Sequence, residues 1–221
     1  MKIESLMLRL QEAAAAHAQE LGFGVEWLRE MQCCWVLSNF VLQIARWPAW
    51  NETVLLRTWP SGHNRVIATR EFIGFDAGGG ELFRAGSEWM VLSRRTNRPR
   101  NLAKLERRLP GDAEKLISAP QRRGQTPEGY QYVESIRVPY SAIDMNGHAN
   151  NSEYVRWAMD ALRHGFGVGS DVQRLQIAYL AEVFENDGLN LQVSGTGPEQ
   201  YVVVGRKPKD AAPAFQMEVR Y

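Results

Sequence analysis

The sequence has little cysteine, almost no net charge and no long hydrophobic run, and each of these absences excludes a class of protein. Its only cysteines are Cys33 and Cys34, and adjacent cysteines rarely pair with each other or form the spaced ligand sets of zinc sites. The 26 basic and 25 acidic residues leave a net charge of +1, so no overall field attracts nucleic acid or a membrane surface. We therefore expect a reduced, cytoplasmic protein without a structural metal or a cofactor.

No stretch of the sequence approaches the roughly 18 apolar residues that a membrane-spanning helix needs. Glu4 and Arg9 stand where a secretory signal would have its apolar core, so we expect neither a signal peptide nor a membrane span. What is present is an ordinary globular composition, with 44% hydrophobic and 23% charged residues. The 221 residues suit one large domain or two small ones.

The spacing of apolar residues predicts a helix followed by strands, twice over. The first helix covers residues 3–21 and ends at Gly22 and Gly24. Segments rich in β-branched and aromatic residues then predict strands at 35–46, 53–59, 64–75 and 81–93, with a glycine-rich turn at 76–80. The second half predicts a strand at 132–139, a helix at 151–164, and strands near 175–182, 189–194, 201–206 and 214–220.

Two short repeats indicate that the halves are related. GFGV occurs at 22–25 and again at 165–168, each time after a predicted helix. LQIA occurs at 42–45 and again at 175–178, each time in the first strand after that helix. Two matches in the same order favour a fused pair of similar domains.

Between the halves lies a basic segment, residues 94–123, with ten lysines and arginines, three acidic residues and three prolines. We expect it to contain one short helix around Leu102–Leu109. The predicted domains are an N-terminal unit at 1–100, a basic linker at 101–129 and a C-terminal unit at 130–221.

Each unit is predicted to be α+β, with an antiparallel sheet wrapped around one long helix. This is the arrangement of the hotdog fold, and two hotdog units normally pair, so the chain is expected to be a tandem or double hotdog. No strand is predicted before the helix of the first unit, in contrast to the second, so either the first sheet lacks its opening strand or the given chain starts after that strand. Such a chain can act as a monomer with an internal pseudo-dimer or as a homodimer.

The chemistry-bearing residues are concentrated in DMNGHANN, residues 144–151. Asp, Asn and Gly are common in turns, and Asp or Asn often caps a helix, so a plain turn before the second helix is one interpretation. The other is a catalytic loop that provides a carboxylate, an amide and an imidazole.

The segment Tyr140–Leu162 resembles the SDxDxNxHVNNxxYxxW stretch of the bacterial and plant acyl-acyl-carrier-protein (acyl-ACP) thioesterases. Ile177–Leu189 is similar to the YxxE…GD segment of the same family, and Trp35–Phe72 and Ser87–Leu102 are similar to its N-terminal half. The resemblance implies a double hotdog that hydrolyses the thioester between a fatty acyl chain and the carrier protein.

The resemblance also implies the site residues, which are Asp144, Asn146, His148 and the strand residue Glu182. Plant members carry a cysteine directly after that glutamate, but Val183 stands there in this chain, which disfavours a cysteine nucleophile.

Thioester hydrolysis needs an activated water and a site for an oxyanion, because a thiolate leaves readily. The base stays open among Asp144, His148 and Glu182. Gly147 would allow close approach of the substrate, and the helix beginning near Asn150 would stabilise the oxyanion.

Carrier proteins are strongly acidic, so we expect basic residues to bind them, with Arg94, Arg95, Arg98 and Arg100 as candidates. The chain leaves two alternatives open. It could be an acyl-CoA thioesterase of the same fold, or an acyl-binding protein that does not hydrolyse its ligand.

Overall fold

A computed structural model describes residues 1–105, 107–111, 114–117, 129–169, 171–208, 210 and 212–221. These residues form two compact units. The first consists of Met1 and the described residues of Met7–Ala119, and the second of Lys2–Leu6 and the described residues of Pro120–Tyr221. Because residues 118–128 lie outside the described residues, the predicted domain boundaries and most of the predicted linker stay predictions.

The first unit combines two helices with a four-stranded antiparallel sheet. Its elements are α1 (Ile3–Glu20, whose first residues belong to the second unit), α2 (Val25–Glu30), β1 (Cys33–Ile44), β2 (Leu55–His63), β3 (Ala68–Phe75) and β4 (Glu81–Ser93). The strand order is β2–β3–β4–β1. Helix α1 ends where Gly22 adopts φ +77°, a left-handed conformation that glycine tolerates best. The strands agree with the prediction to within a few residues at each end.

The second unit places one helix on a five-stranded antiparallel sheet. Its elements are β5 (Tyr132–Arg137), α3 (Asn151–Phe166), β6 (Arg174–Tyr179), β7 (Gly188–Gly197), β8 (Gln200–Arg206) and β9 (Pro213–Arg220), in the order β6–β9–β8–β7–β5. Helix α3 lies against β5, β7, β8 and β9. It buries an apolar stripe that includes Val155, Ala158 and Leu162.

The two sheets share one topology. In each unit, the first strand after the long helix pairs with the last strand of that unit. These pairs are β1 with β4 in the first unit and β6 with β9 in the second. In each unit a glycine also faces a buried phenylalanine across the third and fourth of these strands: Gly74 opposite Phe83, and Gly205 opposite Phe215. A Cβ at either glycine would overlap the facing ring. The shared topology supports the prediction of a tandem repeat.

The GFGV repeat does not mark equivalent positions. The left-handed residue that ends the helix is Gly22, the first glycine of the first copy, but Gly167, the second glycine of the second copy. Gly165 still belongs to helix α3. The LQIA repeat is also out of register, by two residues, because Ile44 pairs with Phe83 whereas Tyr179, and not Ile177, pairs with Phe215. Leu42 and Leu175 are both fully buried in the first strand after the helix, so the two copies share a face of the strand but not a position.

Three local predictions were wrong. Helix α2 was not predicted, because six residues are too few to show a helical pattern. The helix predicted at Leu102–Leu109 is only a 3-10 turn, Leu102–Lys104. The strand predicted to reach residue 182 ends at Tyr179, so Glu182 lies in a loop.

The predicted difference between the units is present in the described residues. Strand β5 precedes α3 and pairs with β7, whereas no described strand precedes α1 or pairs with the outer side of β2.

A pH-sensitive ion pair joins helix α3 to strand β5. His164 Nδ1 lies 3.0 Å from Glu134 Oε2, and the hydrogen bond with this carboxylate raises the pKa of His164 above its usual value near 6.5. The stabilisation is therefore complete below the unfolded-state pKa and is lost as the pH rises through the folded-state pKa. We expect His164→Gln to lower the melting temperature by about 1–2 °C at pH 5.5, and not at pH 9. Thermal unfolding at both pH values measures this, and an equal loss at both would contradict it.

Candidate active site

The residues of the DMNGHANN motif form a tight loop directly before helix α3. Its ends are joined by a hydrogen bond of 2.9 Å from Asp144 N to His148 O, and by a bridge between Ile143 and Ala149. Gly147 donates to Asp144 O and has φ +86°, a conformation that side chains disfavour. Apart from its two chain neighbours, no described residue has an atom within 4 Å of where a Cβ at Gly147 would stand, so the backbone conformation, and not crowding, favours glycine.

The predicted site residues form two pairs, and the first is Asp144 with Asn146. The Asp144 carboxylate accepts a hydrogen bond of 2.7 Å from Asn146 N and a longer one, 3.5 Å, from Asn146 Nδ2. The carboxylate therefore fixes the position of Asn146. Within the described residues, no hydrogen bond or ion pair joins the Asp144 carboxylate to the side chain of His148 or Glu182.

The second pair is His148 with Glu182, whose Nε2 and Oε1 atoms lie 3.6 Å apart. The side chains are 32% and 42% exposed, so a substrate can reach both. The Phe184 ring lies edge-on to the imidazole, with centroids 6.0 Å apart. An imidazole beside a carboxylate is a pair that can accept a proton from water and pass it on.

The loops that carry His148 and Glu182 are tied together through the backbone. Ala149 N donates to Val183 O over 2.8 Å, and Val183 is fully buried. The loop continues through Phe184, whose N–H donates to the Asp187 carboxylate. Asp187 in turn pairs with Lys207 over 2.9 Å.

The start of helix α3 has little free hydrogen-bonding capacity. Asn150 is its N-cap, and its side-chain oxygen accepts from the N–H and the hydroxyl of Ser152. Asn150 N donates to Ala142 O, and Glu153 N donates to Asn150 O. Since Gly147 N also has a backbone partner, the predicted oxyanion residues Gly147 and Asn150 do not offer free amides. The dipole of helix α3 is therefore the feature at this end that can still stabilise an oxyanion.

Sequence reasoning gave no role to two tyrosines next to the site, Tyr154, which is buried, and Tyr179, which is partly buried. Tyr154 contacts the loop that carries Glu182, and Tyr179 donates to Asn151 O over 3.0 Å. Both occur in the sequence segments that resemble the family, but their burial and contacts could not be predicted from the residues alone.

The four candidate docking arginines lie in the first unit, at the loop after β4, and they differ in their contacts. Arg94 donates to Cys33 O and Arg100 to Met31 O, so these two hold the start of β1. Arg95 and Arg98 are exposed, and the described residues provide neither with a side-chain hydrogen bond or ion pair. Arg95 and Arg98 are therefore the two candidates whose side chains have no hydrogen-bond or ion-pair partner among the described residues.

Two features, a cluster of metal-ligand side chains and a membrane-spanning helix, are absent from the part of the chain that the structure describes. The described residues contain no cluster of three or more His, Cys, Asp or Glu side chains that could hold a metal ion. None of their helices is both long enough and apolar enough to cross a membrane.

Comparison with known proteins identifies the family. Residues 1–105 match the acyl-ACP thioesterase N-terminal domain, and residues 126–211 match the acyl-ACP thioesterase C-terminal domain. The chain belongs to the acyl-ACP thioesterase family. The recognition made from the motifs at Tyr140–Leu162 and Ile177–Leu189 is thus confirmed.

Relatives of this thioesterase family member come from plants and bacteria. The chain is 24% identical to oleoyl-acyl carrier protein thioesterase 2 of Arabidopsis thaliana over 222 residues, covering 90% of this chain but only 59% of the plant protein. The crystal structure of an acyl-ACP thioesterase from Bacteroides thetaiotaomicron superposes with a TM-score of 0.85 at 24% identity, covering 100% of this chain and 89% of that one. The 12:0-ACP thioesterase from Umbellularia californica gives 0.81 at 18% identity, with 100% and 89% covered. The prediction of a double hotdog fold is confirmed.

Proposed function

We propose that this protein hydrolyses the thioester between a fatty acyl chain and acyl carrier protein and releases the free fatty acid. The observation that supports this most is the His148–Glu182 pair, beside the Asp144–Asn146 pair at the start of helix α3. Membership of the family makes acyl-ACP the first substrate to test.

In the proposed mechanism, a water molecule attacks the thioester carbonyl carbon while His148 accepts its proton. Glu182 orients the imidazole and stabilises its protonated form. The Asn146 amide, held by Asp144, positions the water or the carbonyl oxygen, and the dipole of helix α3 stabilises the oxyanion. The intermediate then expels the pantetheine thiolate, which recovers the proton from His148.

A cysteine nucleophile does not fit the site. Val183 occupies the position after Glu182 and is fully buried. The two cysteines, Cys33 and Cys34, lie on β1 of the first unit, and burial raises the pKa of the Cys33 thiol. Direct attack by water is therefore the proposed route.

The test is release of free thiol from acyl-ACPs and acyl-CoAs of graded chain length, with Asp144→Ala as the control. Hydrolysis of acyl-ACP that the substitution abolishes would support the proposal. Better turnover of acyl-CoA would support the acyl-CoA thioesterase alternative, and binding without turnover would support the acyl-binding alternative. The relatives named above act on oleoyl and 12:0 chains, so the series should span both lengths. Cytoplasmic location and monomeric or dimeric state stay predictions.

We further propose that Arg95 and Arg98 bind the acidic carrier protein. Reversing both charges to glutamate is expected to lower kcat/KM for acyl-ACP about 10-fold at low salt, because the basic loop no longer attracts the carrier. High salt should reduce the difference, since exposed charges are screened. Turnover of acyl-CoA, which has no protein surface, should change little.

A matched control reverses Arg57 and Arg65, two exposed arginines of the same unit, which alters the net charge equally. If this control variant loses as much kcat/KM as the Arg95/Arg98 variant, the effect reflects net charge and local docking is excluded.

A further inference from the structure

The hydroxyl of Tyr154 contacts the backbone on both sides of Glu182. It accepts a hydrogen bond of 3.1 Å from Val183 N and lies 3.4 Å from Ala181 O, to which it donates. Tyr154 is four residues after the N-cap Asn150, on the helix that begins at the catalytic loop. One side chain thus connects the helix to the segment that carries the proposed catalytic carboxylate.

The ring of Tyr154 is rigidly held. Tyr154 is 3% exposed, and the rings of Trp157, Tyr179 and Phe215 surround it at centroid distances of 5.5, 5.4 and 5.5 Å. Burial raises the pKa of its hydroxyl far above the usual range, and the nearby Glu182 and Asp144 carboxylates raise it further. The hydroxyl therefore stays protonated at neutral pH and can donate to Ala181 O.

Few other hydrogen bonds hold the backbone next to Glu182 in the described residues. Before Glu182, the N–H groups of Leu180 and Ala181 both donate to Ala214 O on β9. After Glu182, the only backbone bond to Val183 comes from Ala149 N, in the part of the chain that the structure describes. The Tyr154 hydroxyl restrains Val183 further, because it accepts a hydrogen bond from the Val183 N–H group.

We propose that Tyr154 is a positioning residue for the reaction: its hydroxyl bridges Ala181 O and Val183 N and so holds the Glu182 carboxylate against His148. This inference rests on the proposed function. It assigns Tyr154 no contact with the substrate. Its effect on catalysis passes through Glu182 alone.

The experiment compares Tyr154→Phe with Tyr179→Phe. Both remove one tyrosine hydroxyl from the same pair of packed rings, but the Tyr179 hydroxyl donates to Asn151 O, and no hydrogen bond within the described residues joins it to residues 181–184. Tyr154→Phe is expected to lower kcat about 10- to 100-fold with KM nearly unchanged, because a displacement of about 1 Å at a catalytic group has effects of this size. Tyr179→Phe should change kcat less than about 3-fold.

A double-mutant cycle separates positioning from a general structural role. In a Glu182→Gln background, Tyr154→Phe should have no further effect on residual turnover. Equal kcat losses in Tyr154→Phe and Tyr179→Phe would overturn the inference, as would a loss that persists undiminished without the Glu182 carboxylate.

Amide hydrogen exchange distinguishes this inference from the proposed function. Residues 181–184 should exchange about 10-fold faster in Tyr154→Phe than in the wild type or in Tyr179→Phe, whether or not acyl-ACP is hydrolysed. If exchange is unchanged in a folded Tyr154→Phe variant, the bridge does not hold the loop and the inference is wrong. If exchange rises but wild-type protein hydrolyses no acyl thioester, the proposed function fails instead.

Discussion

Replacing His148 with alanine is expected to lower kcat for acyl-ACP hydrolysis by about 10²- to 10⁴-fold, the usual contribution of a general base. The His148 imidazole lies 3.6 Å from the Glu182 carboxylate. In the proposed mechanism, its loss leaves the attacking water without a proton acceptor. KM should change little, because the proposed role of His148 is to accept a proton and not to bind the acyl chain or the carrier protein. Single-turnover kinetics with acyl-ACP measures the chemical step directly.

The chain offers a matched control in His164, which also pairs with a glutamate, Glu134, and also lies in the second unit. His164→Ala should leave kcat within about 2-fold of the wild type, since a paired surface histidine has no part in the reaction. The role of His148 would be refuted by a His148→Ala variant that retains wild-type turnover.

The same assignment predicts non-additive effects. If Glu182 acts through the imidazole, Glu182→Gln added to His148→Ala should cost no more than His148→Ala alone. Additive losses would mean that Glu182 activates water independently, which is the alternative that the sequence left open.

Replacing Phe215 with alanine is expected to lower the free energy of unfolding by about 3–5 kcal/mol. Phe215 is fully buried, its ring fills the space above Gly205, and it contacts Tyr154 edge-to-face. The cavity cannot be refilled by Gly205, which has no side chain. Chemical denaturation of wild type and variant measures the difference.

The control is Phe184→Ala, which removes the same ring from an exposed position in the same unit. We expect it to change the free energy of unfolding by less than about 1 kcal/mol. A loss below about 1 kcal/mol in Phe215→Ala would show that the glycine–phenylalanine contact does not support the sheet.

Much of the fold could be predicted because its signals are local. The strand predicted at 81–93 has the bounds of β4, and the helix predicted at 151–164 is two residues shorter than α3. Such segments have a clear period of two or of 3.6 residues. The pairing of Gly205 with Phe215 could not be predicted, because it depends on the register between two strands and not on either strand alone.

The candidate site also has some features that local sequence predicts and others that depend on tertiary structure. Asp144, Asn146 and His148 lie close in sequence, so a motif could identify them, and the resemblance added Glu182 from a distant segment. The bridge from Tyr154 to Ala181 and Val183 involves backbone atoms and left no sequence signal of its own. The basic loop after β4 could also be identified from the sequence. That Arg94 and Arg100 donate to backbone carbonyl groups could not, because those contacts depend on tertiary structure.

Strand β2 has an open outer side in the described residues, whereas its counterpart β7 is covered by β5. An uncovered strand can pair with the same strand of another molecule and start aggregation. Strand β2 contains Pro60, which has no N–H to donate, and its ladder with β3 is interrupted by a bulge between Pro60 and Gly62. Both features make a poor template for an incoming strand. Pro60 and the bulge therefore lower the tendency of this edge to pair with a strand of a second molecule.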